Sequence, residues 1–176
     1  MIRTTRLLEV QPGDPDVLDR LDIGNGLMLT QLAGHAGVVE VPRSDRPYRL
    51  LCRRHLHVYN SSCNVTRTHR GVPYNPAYLH PDDMTELGLS DGTLVRISSD
   101  LSSITAVAME DPALRTGMVS MAFGYGPTDH DEEVRTVGSS PSRLVSISEK
   151  FDRFTGQPRM TNIPVSIERI DPQCRT

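Results

Sequence analysis

The run from Tyr74 to Gly92 constrains the fold most, because it places a helix start, a helix stop and a turn within one short span. Pro81 suits the first helical position, where its missing N–H leaves no bond unmade, and the two aspartates after it lie at the positive end of the helix dipole. Gly88 is typical of a residue that ends a helix. Asp91-Gly92 then predicts a turn. The run therefore predicts a strand, a short helix over residues 82 to 87, a sharp reversal and a second strand.

Short apolar runs extend this pattern along the chain and predict further strands. The predicted strands are Tyr48 to Arg53, Ala77 to His80, Leu94 to Ser99, Ile104 to Met109, Val119 to Phe123, Leu144 to Ser148 and Pro164 to Ile167. Thirteen prolines, thirteen glycines and no tryptophan favour a turn-rich β domain over a helical bundle. We therefore predict a mainly β fold with short helices, closed or partly closed into a barrel that leaves no exposed sheet edge.

The N-terminal quarter differs from the remainder of the chain. Asp14-Pro15 predicts the start of a short helix through Leu21, and glycines are expected to interrupt the chain after it. These glycines are Gly24, Gly26, Gly34 and Gly37. We interpret residues 1–46 as a linker or as the edge of a preceding domain, residues 47–170 as one domain, and residues 171–176 as a tail.

Charge and cysteine content limit the compartment and the partners. The net charge of −3 gives no general nucleic-acid footprint. No apolar stretch reaches the length that a bilayer span or a secretory signal needs. The cysteines, Cys52, Cys63 and Cys174, are unevenly spaced and suit a reducing compartment better than a disulfide framework. We predict a cytoplasmic protein without membrane insertion.

The densest polar cluster follows the first predicted strand of the domain. It comprises Arg53, Arg54, His55, His57, Asn60 and Ser61. Cationic side chains and backbone N–H groups at a strand end are suited to a pyrophosphate. On an extended strand, Arg53 shares one face with the two histidines, whereas Arg54 lies on the other. The alternative interpretation is a solvated strand rim.

A metal site is a second alternative for this region, since thiolate and imidazole groups bind zinc when four of them converge. The candidate ligands are Cys52, His55, His57, Cys63 and His69. The spacing does not favour a site, because there is no Cys-x-x-Cys pair and Cys52 would point away from His55 on a strand. No metal site is predicted.

Five blocks, in order, resemble one known family. They are Leu50 to Ser61, Tyr74 to Gly92, Glu110 to Met121, the Phe-Gly-Tyr-Gly loop at residues 123–126, and Asp152 to Pro158 followed by Ile163 to Ile167. This order is similar to the C-terminal domain that binds molybdopterin guanine dinucleotide in molybdopterin oxidoreductases. The resemblance implies a six-stranded double-psi β-barrel, and it implies that residues 1–46 end a preceding catalytic domain.

The resemblance also implies a set of cofactor contacts. Asn75, His80 and Asp83 belong to the opening motif, and a carboxylate with amide or imidazole neighbours is suited to the donor edge of a guanine. Gly124 and Tyr125 lie in a loop where glycine would let the backbone approach a ligand. Ser142 and Arg159 fall at two later contacts. The chain departs from the family pattern with His80 and Ser142 where asparagine is usual, Met84 where alanine is usual, and Phe123 where histidine is usual.

The implied function is a cofactor holder that does not catalyse alone. The resemblance implies a molybdenum or tungsten oxidoreductase, a catalytic domain or subunit as partner, and an iron–sulfur electron carrier as a further partner. No Ser-His-Asp order or activated cysteine setting is evident in the sequence, so no catalytic residue is predicted. The alternative is a double-psi barrel unrelated to redox chemistry, either a protein-recognition module or a self-processing decarboxylase cleaved at Gly138-Ser139.

Overall fold

The computed structural model describes residues 24–37, 41–55, 58–59, 73–126, 134–152 and 154–171. The chain divides into two units, Met1–Glu40 and Val41–Thr176. The helix predicted through Leu21 lies outside the described residues.

Helix α1 in the first unit corrects one expectation, since Gly26–His35 is helical where glycines were expected to interrupt the chain. Asn25 caps the helix, because its Oδ1 accepts hydrogen bonds from the backbone N–H groups of Leu27 and Met28 at 3.0 and 3.3 Å. Gly26 occupies the first helical position and Gly34 lies in the last turn. Both glycines are therefore at the helix ends, where they weaken it least.

The second unit is a closed barrel. The strands in the described part of the chain are β1 (Tyr48–Arg53), β2 (Ala77–Leu79), β3 (Leu94–Ser98), β4 (Ser103–Glu110), β5 (Met118–Ala122) and β6 (Ile163–Arg169). Their order around the barrel is β1, β5, β2, β4, β3, β6. Two neighbouring pairs, β1 with β5 and β2 with β4, are parallel, and the other pairs are antiparallel. The predicted mainly β, six-stranded barrel is confirmed, and the mixed pairing is consistent with a double-psi topology.

The core lies inside the barrel, because side chains alternate between the interior and the outer wall along each strand. The largest fully buried aliphatic side chains that the strands contribute to this core are Leu50, Leu79, Val95, Ile97, Ile104, Val119, Met121 and Val165. Burial of each such side chain contributes about 1.5–3 kcal/mol to folding. The strand pattern in the sequence is thus explained by one continuous interior.

The region around helix α2 (Pro81–Glu86) follows the prediction closely. Pro81 is the first helical residue, and His80 caps the helix through its Nδ1, which accepts from the backbone N–H of Asp82 at 3.1 Å. Gly88 has a φ of +64° and Gly92 a φ of +84°, the left-handed conformations that end the helix and form the turn into β3. The predicted helix and turn are confirmed.

The predicted strand from Leu144 to Ser148 is wrong. Pro141–Leu144 forms a short 3-10 helix, and the chain bends after it. Leu144 and Val145 are buried in the core, but Ile147 is 86% exposed. Because the barrel closes through the pairing of β1 with β6, the six described strands leave no free edge for this segment to join. Helix α3 (Val134–Val137) precedes it.

The parallel pairing of β1 and β5 gives the barrel two distinct ends. We call the end where both strands finish, at Arg53 and Ala122, the exit rim, and the end where both begin the entry rim. β6 runs antiparallel to β1, so it enters the barrel from the exit-rim side, and its first residue, Ile163, pairs with Leu50. β2 runs antiparallel to β5 and therefore also begins there, directly after Asn75 and Pro76.

Candidate functional site

The barrel separates the predicted site residues into two groups. The exit-rim group contains Arg53, Arg54, His55, Asn75, Gly124, Tyr125 and Arg159, and the entry-rim group contains His80 and Asp83. The five residues of β5 lie between the two groups, which corresponds to roughly 17 Å at about 3.3 Å per residue. His57, Asn60 and Ser61 lie outside the described residues. The resemblance assigns all these residues to one cofactor, and the structure brings together the residues of the first group.

Arg53 lies along the outer wall of the barrel. Its guanidinium is 4.1 Å from the ring centroid of Tyr78, its Nε donates to Ser120 Oγ at 2.9 Å, and its Nη2 donates to Asp111 at 2.6 Å. This contact holds the pKa of Asp111 below its usual value, chiefly through the hydrogen bond from Arg53. The charge of Arg53 is therefore compensated within the chain.

Arg54 and His55 follow the end of β1 and meet the loop after β5. The guanidinium of Arg54, an exposed residue, is 4.9 Å from the ring centroid of Phe123, a cation–π distance. His55 Nδ1 is 3.2 Å from the Oη of Tyr125, and the two rings meet edge to face with centroids 5.7 Å apart. Burial raises the pKa of Tyr125, so its hydroxyl keeps its proton. The two loops therefore form one surface with a cation and an imidazole.

Asn75 is fully buried beneath this surface. Its Nδ2 donates to the carbonyl oxygens of Ala122 and Ser139 at 2.6 and 2.8 Å, and its Oδ1 accepts from Ser139 N at 2.8 Å. Both N–H donors of the amide are thus used within the chain. The guanine contact of Asn75 stays a prediction. The hydrogen bonds observed join Asn75 to the backbone of Ala122 and Ser139.

Glycines shape the loops on either side of Asn75. Gly124, Gly126 and Gly138 have φ values of +83°, +71° and +75°. A Cβ on Gly126 would lie 2.7 Å from Ser139 Cα, and a Cβ on Gly138 would overlap Asn75 Oδ1. The two loops consequently approach each other more closely than any side chain at these positions would allow.

The entry-rim residues serve the start of helix α2. Asp83 is 5% exposed, and its Oδ2 accepts from the backbone N–H of Gly117 at 2.8 Å. Burial raises the pKa of Asp83, and the bond from Gly117 only partly offsets this effect. His80 caps the helix through Nδ1, as described above. Helix capping and negative charge near the helix N-terminus are thus established here, while their guanine contacts stay predictions.

Arg159 lines a cavity of about 270 Å³ whose other lining residues include Lys150, Leu144 and Ile163. The backbone N–H of Arg159 donates to the carbonyl of Lys150 at 2.9 Å, which places the two cationic residues side by side at the neck of one loop. Ser142 is exposed on the 3-10 helix that carries Leu144 of this lining. Lys150 is not among the residues that the sequence predicts for the site, because only the pairing across this loop brings it beside Arg159.

The proposed metal ligands are only partly described. Cys52 Sγ donates to the carbonyl of Met160 at 2.6 Å, and burial raises the pKa of its thiol. Within the described ranges, no three His, Cys, Asp or Glu side chains converge as a metal site would require. His57, Cys63 and His69 lie outside those ranges.

No helix in the described part of the chain is long and apolar enough to cross a membrane.

The fold and the exit rim together define a closed mixed barrel that presents cationic and glycine-rich loops at one end, as a domain that binds an anionic ligand would. A family described as "Molydopterin dinucleotide binding domain" matches residues 48–164, and the chain belongs to this family. Its cofactor is therefore a molybdopterin dinucleotide.

The comparison with solved structures supports the same fold. Acetylene hydratase from Pelobacter acetylenicus matches with a TM-score of 0.56 and 19% sequence identity, over 71% of this chain. The chain spans 18% of the length of that protein. No curated protein matches the sequence.

The described residues of the exit rim fit such a cofactor. Arg54 and Arg159 carry cationic groups of the kind that phosphates bind, and Gly124 leaves the backbone of its loop without a side chain in the way. The side-chain oxygen of Ser139 is buried there without a hydrogen-bond partner among the described residues. A buried polar group of this kind is typical of a site whose partner is a ligand or water.

Proposed function

We propose that this chain binds molybdopterin guanine dinucleotide at its exit rim, as the C-terminal domain or a subunit of a molybdenum or tungsten oxidoreductase, and that it does not catalyse alone. The residues proposed to contact the cofactor are Arg53, Arg54, His55, Gly124, Tyr125, Ser142 and Arg159. His57, Asn60 and Ser61 complete the proposal as predictions outside the described residues. Family membership and the meeting of these loops at one barrel end support it.

The single observation that carries the proposal is the contact between the loop after β1 and the loop after β5. The first loop brings a cation at Arg54 and an imidazole at His55, and the second brings Gly124 and Tyr125. Phosphate oxygens accept hydrogen bonds from cationic side chains and from exposed backbone N–H groups, so both loops would contribute donors to the same ligand.

The proposal is tested by expressing the full chain with a partner loaded with molybdenum cofactor, then measuring released guanine nucleotide and pterin fluorescence. Arg54→Ala should lower retained cofactor at least tenfold relative to the unaltered chain, since a charge-assisted bond would be lost. Arg96→Ala is the matched control, because Arg96 is an exposed arginine on β3 and belongs to neither rim group. Absence of both nucleotide and pterin from a well-folded complex would refute the proposal.

The guanine of the cofactor can lie at either of two places in this proposal, the entry rim or the exit rim. If the guanine lies against Asp83 and His80, the cofactor reaches from the exit rim to the entry rim, and Asp83→Asn lowers nucleotide retention. If it lies at the exit rim, Asp83→Asn leaves retention unchanged, because Oδ1 of the amide still accepts from Gly117. Nucleotide content measured on the variant complex distinguishes the two positions.

Partners and location complete the proposal. The domain requires a catalytic domain or subunit, because no catalytic residue is assigned within it, and an iron–sulfur carrier is proposed as the electron partner. The cytoplasmic location stays a prediction from cysteine use. The rival, a recognition module unrelated to redox chemistry, is not favoured by membership in a family of cofactor-binding domains.

A further inference from the structure

The bonds of Asn75 join three segments that are distant in sequence. Asn75 lies two residues before β2, Ala122 is the last residue of β5, and Ser139 follows helix α3. Each of the three bonds ends on backbone, so the amide fixes main chain and leaves side chains free to vary. A second link, from Gly126 N to the carbonyl of Val137 at 2.9 Å, runs parallel to it.

The segments around Asn75 approach one another closely at Gly138. A Cβ on Gly138 would overlap Asn75 Oδ1 and would lie 3.0 Å from Tyr125 Cβ. The same residue, Tyr125, carries the hydroxyl that meets His55. Gly138 thus lies close to both Asn75 and Tyr125, so a displacement of the Asn75 amide would reach the imidazole through Gly138 and Tyr125.

We propose that Asn75 is a positioning residue that locks the loop at residues 123–126 and the loop at residues 138–142 into one rigid unit. This inference rests on the proposed function for its purpose, because it explains how Tyr125 and Ser142, on two different loops, are held in a constant relation to one cofactor. In this role Asn75 acts through the backbone of Ala122 and Ser139, to which its amide is bonded.

The chemistry of the amide is specific. Two carbonyl oxygens face Nδ2 and one N–H faces Oδ1, an arrangement that only a group with two donors and an acceptor satisfies. Asn75→Asp keeps the shape but turns an oxygen toward both carbonyls. Asn75→Ala removes the group and leaves the same backbone atoms buried without partners.

Hydrogen exchange of the full 176-residue chain, followed by mass spectrometry, tests the lock without a ligand. Asn75→Asp and Asn75→Ala should accelerate exchange of residues 123–126 and 137–140 at least tenfold, because buried backbone groups lose their bonds. Exchange in β3 and β4 should change less than threefold. Ile97→Ala is the matched control: it removes a fully buried side chain from β3, so it should accelerate β3 and β4 more than the two loops.

A titration with GDP, followed by NMR shifts of the backbone amides, tests the link to binding. In the unaltered chain, shifts should appear at residues 54, 55 and 123–126, and Asn75→Asp should weaken binding at least fivefold while Ile97→Ala changes it less than twofold. If exchange of the loops is no faster in the Asn75 variants than in Ile97→Ala, the lock is refuted. Locked loops in a chain that retains no guanine nucleotide or pterin would refute the proposed function and leave the lock intact.

Discussion

Replacing Gly138 by alanine should destabilise the barrel far more than the same replacement at Gly117. The two glycines have the same φ of +75°, so an alanine meets the same backbone strain at both positions. A Cβ on Gly117 meets no atom within 4 Å, whereas a Cβ on Gly138 would overlap Asn75 Oδ1. The pair therefore separates the cost of the overlap from the cost of the backbone conformation.

The magnitude follows from the contacts. Left-handed backbone costs an alanine about 1–2 kcal/mol, and the reduced freedom of the unfolded chain returns about 0.4–1 kcal/mol. Gly117→Ala should thus lower the free energy of unfolding by about 1 kcal/mol. In Gly138→Ala the Asn75 amide must also move, and each buried bond left unmade costs about 1–3 kcal/mol. We expect the second variant to be less stable than the first by at least about 2 kcal/mol.

Urea unfolding of both variants, followed by far-ultraviolet circular dichroism, measures this difference. Thermal melting should show Gly138→Ala at least about 4 °C below Gly117→Ala, using about 2–4 °C per kcal/mol for a chain of this size. Equal stability of the two variants, to within about 0.5 kcal/mol, would refute the packing argument. A changed denaturant slope would indicate an altered unfolded or native state and would require comparison at the melting midpoint instead.

Two further predictions concern the ionisable groups. Burial raises the folded-state pKa of Asp83 above its usual 3.8, so the stability that Asp83 contributes is complete below pH 3.8 and declines as the pH rises through the folded-state pKa. The stability of the unaltered chain relative to Asp83→Asn should therefore fall as the pH rises from 3 to 7, and a constant difference in urea midpoints would contradict this. Arg53→Lys should lower the free energy of unfolding by about 1 kcal/mol, because the lysine cannot both stack on Tyr78 and bond Ser120 and Asp111. In the Asp111→Asn background, the same replacement should lower the melting temperature by less.

The sequence predicted those elements whose signals are local. Pro81 and Gly88 bracket helix α2 because each residue fixes its own backbone conformation, and β1 was predicted with its observed ends. Gly26 and Gly34 were expected to interrupt the chain where helix α1 forms. This expectation was wrong because glycine weakens a helix interior but is tolerated at the helix ends. The strand predicted from Leu144 to Ser148 was also wrong. A strand needs a free edge of a sheet to pair with, and the closed barrel of the described strands offers none.

The candidate site shows the same division. The sequence by itself determined which side chains are candidate cofactor contacts, since Arg54, His55 and Asp83 are recognisable as groups suited to an anionic dinucleotide and lie within motifs of a known family. Only the tertiary structure decided which of them lie together, because the directions of β2 and β5 place Asp83 at one rim and the other two at the opposite rim. The tertiary structure also decided that the amide of Asn75, predicted as a ligand contact, forms hydrogen bonds with the backbone of two other segments. Contacts between residues so distant in sequence depend on strand order and closure, and no local pattern of residues specifies either.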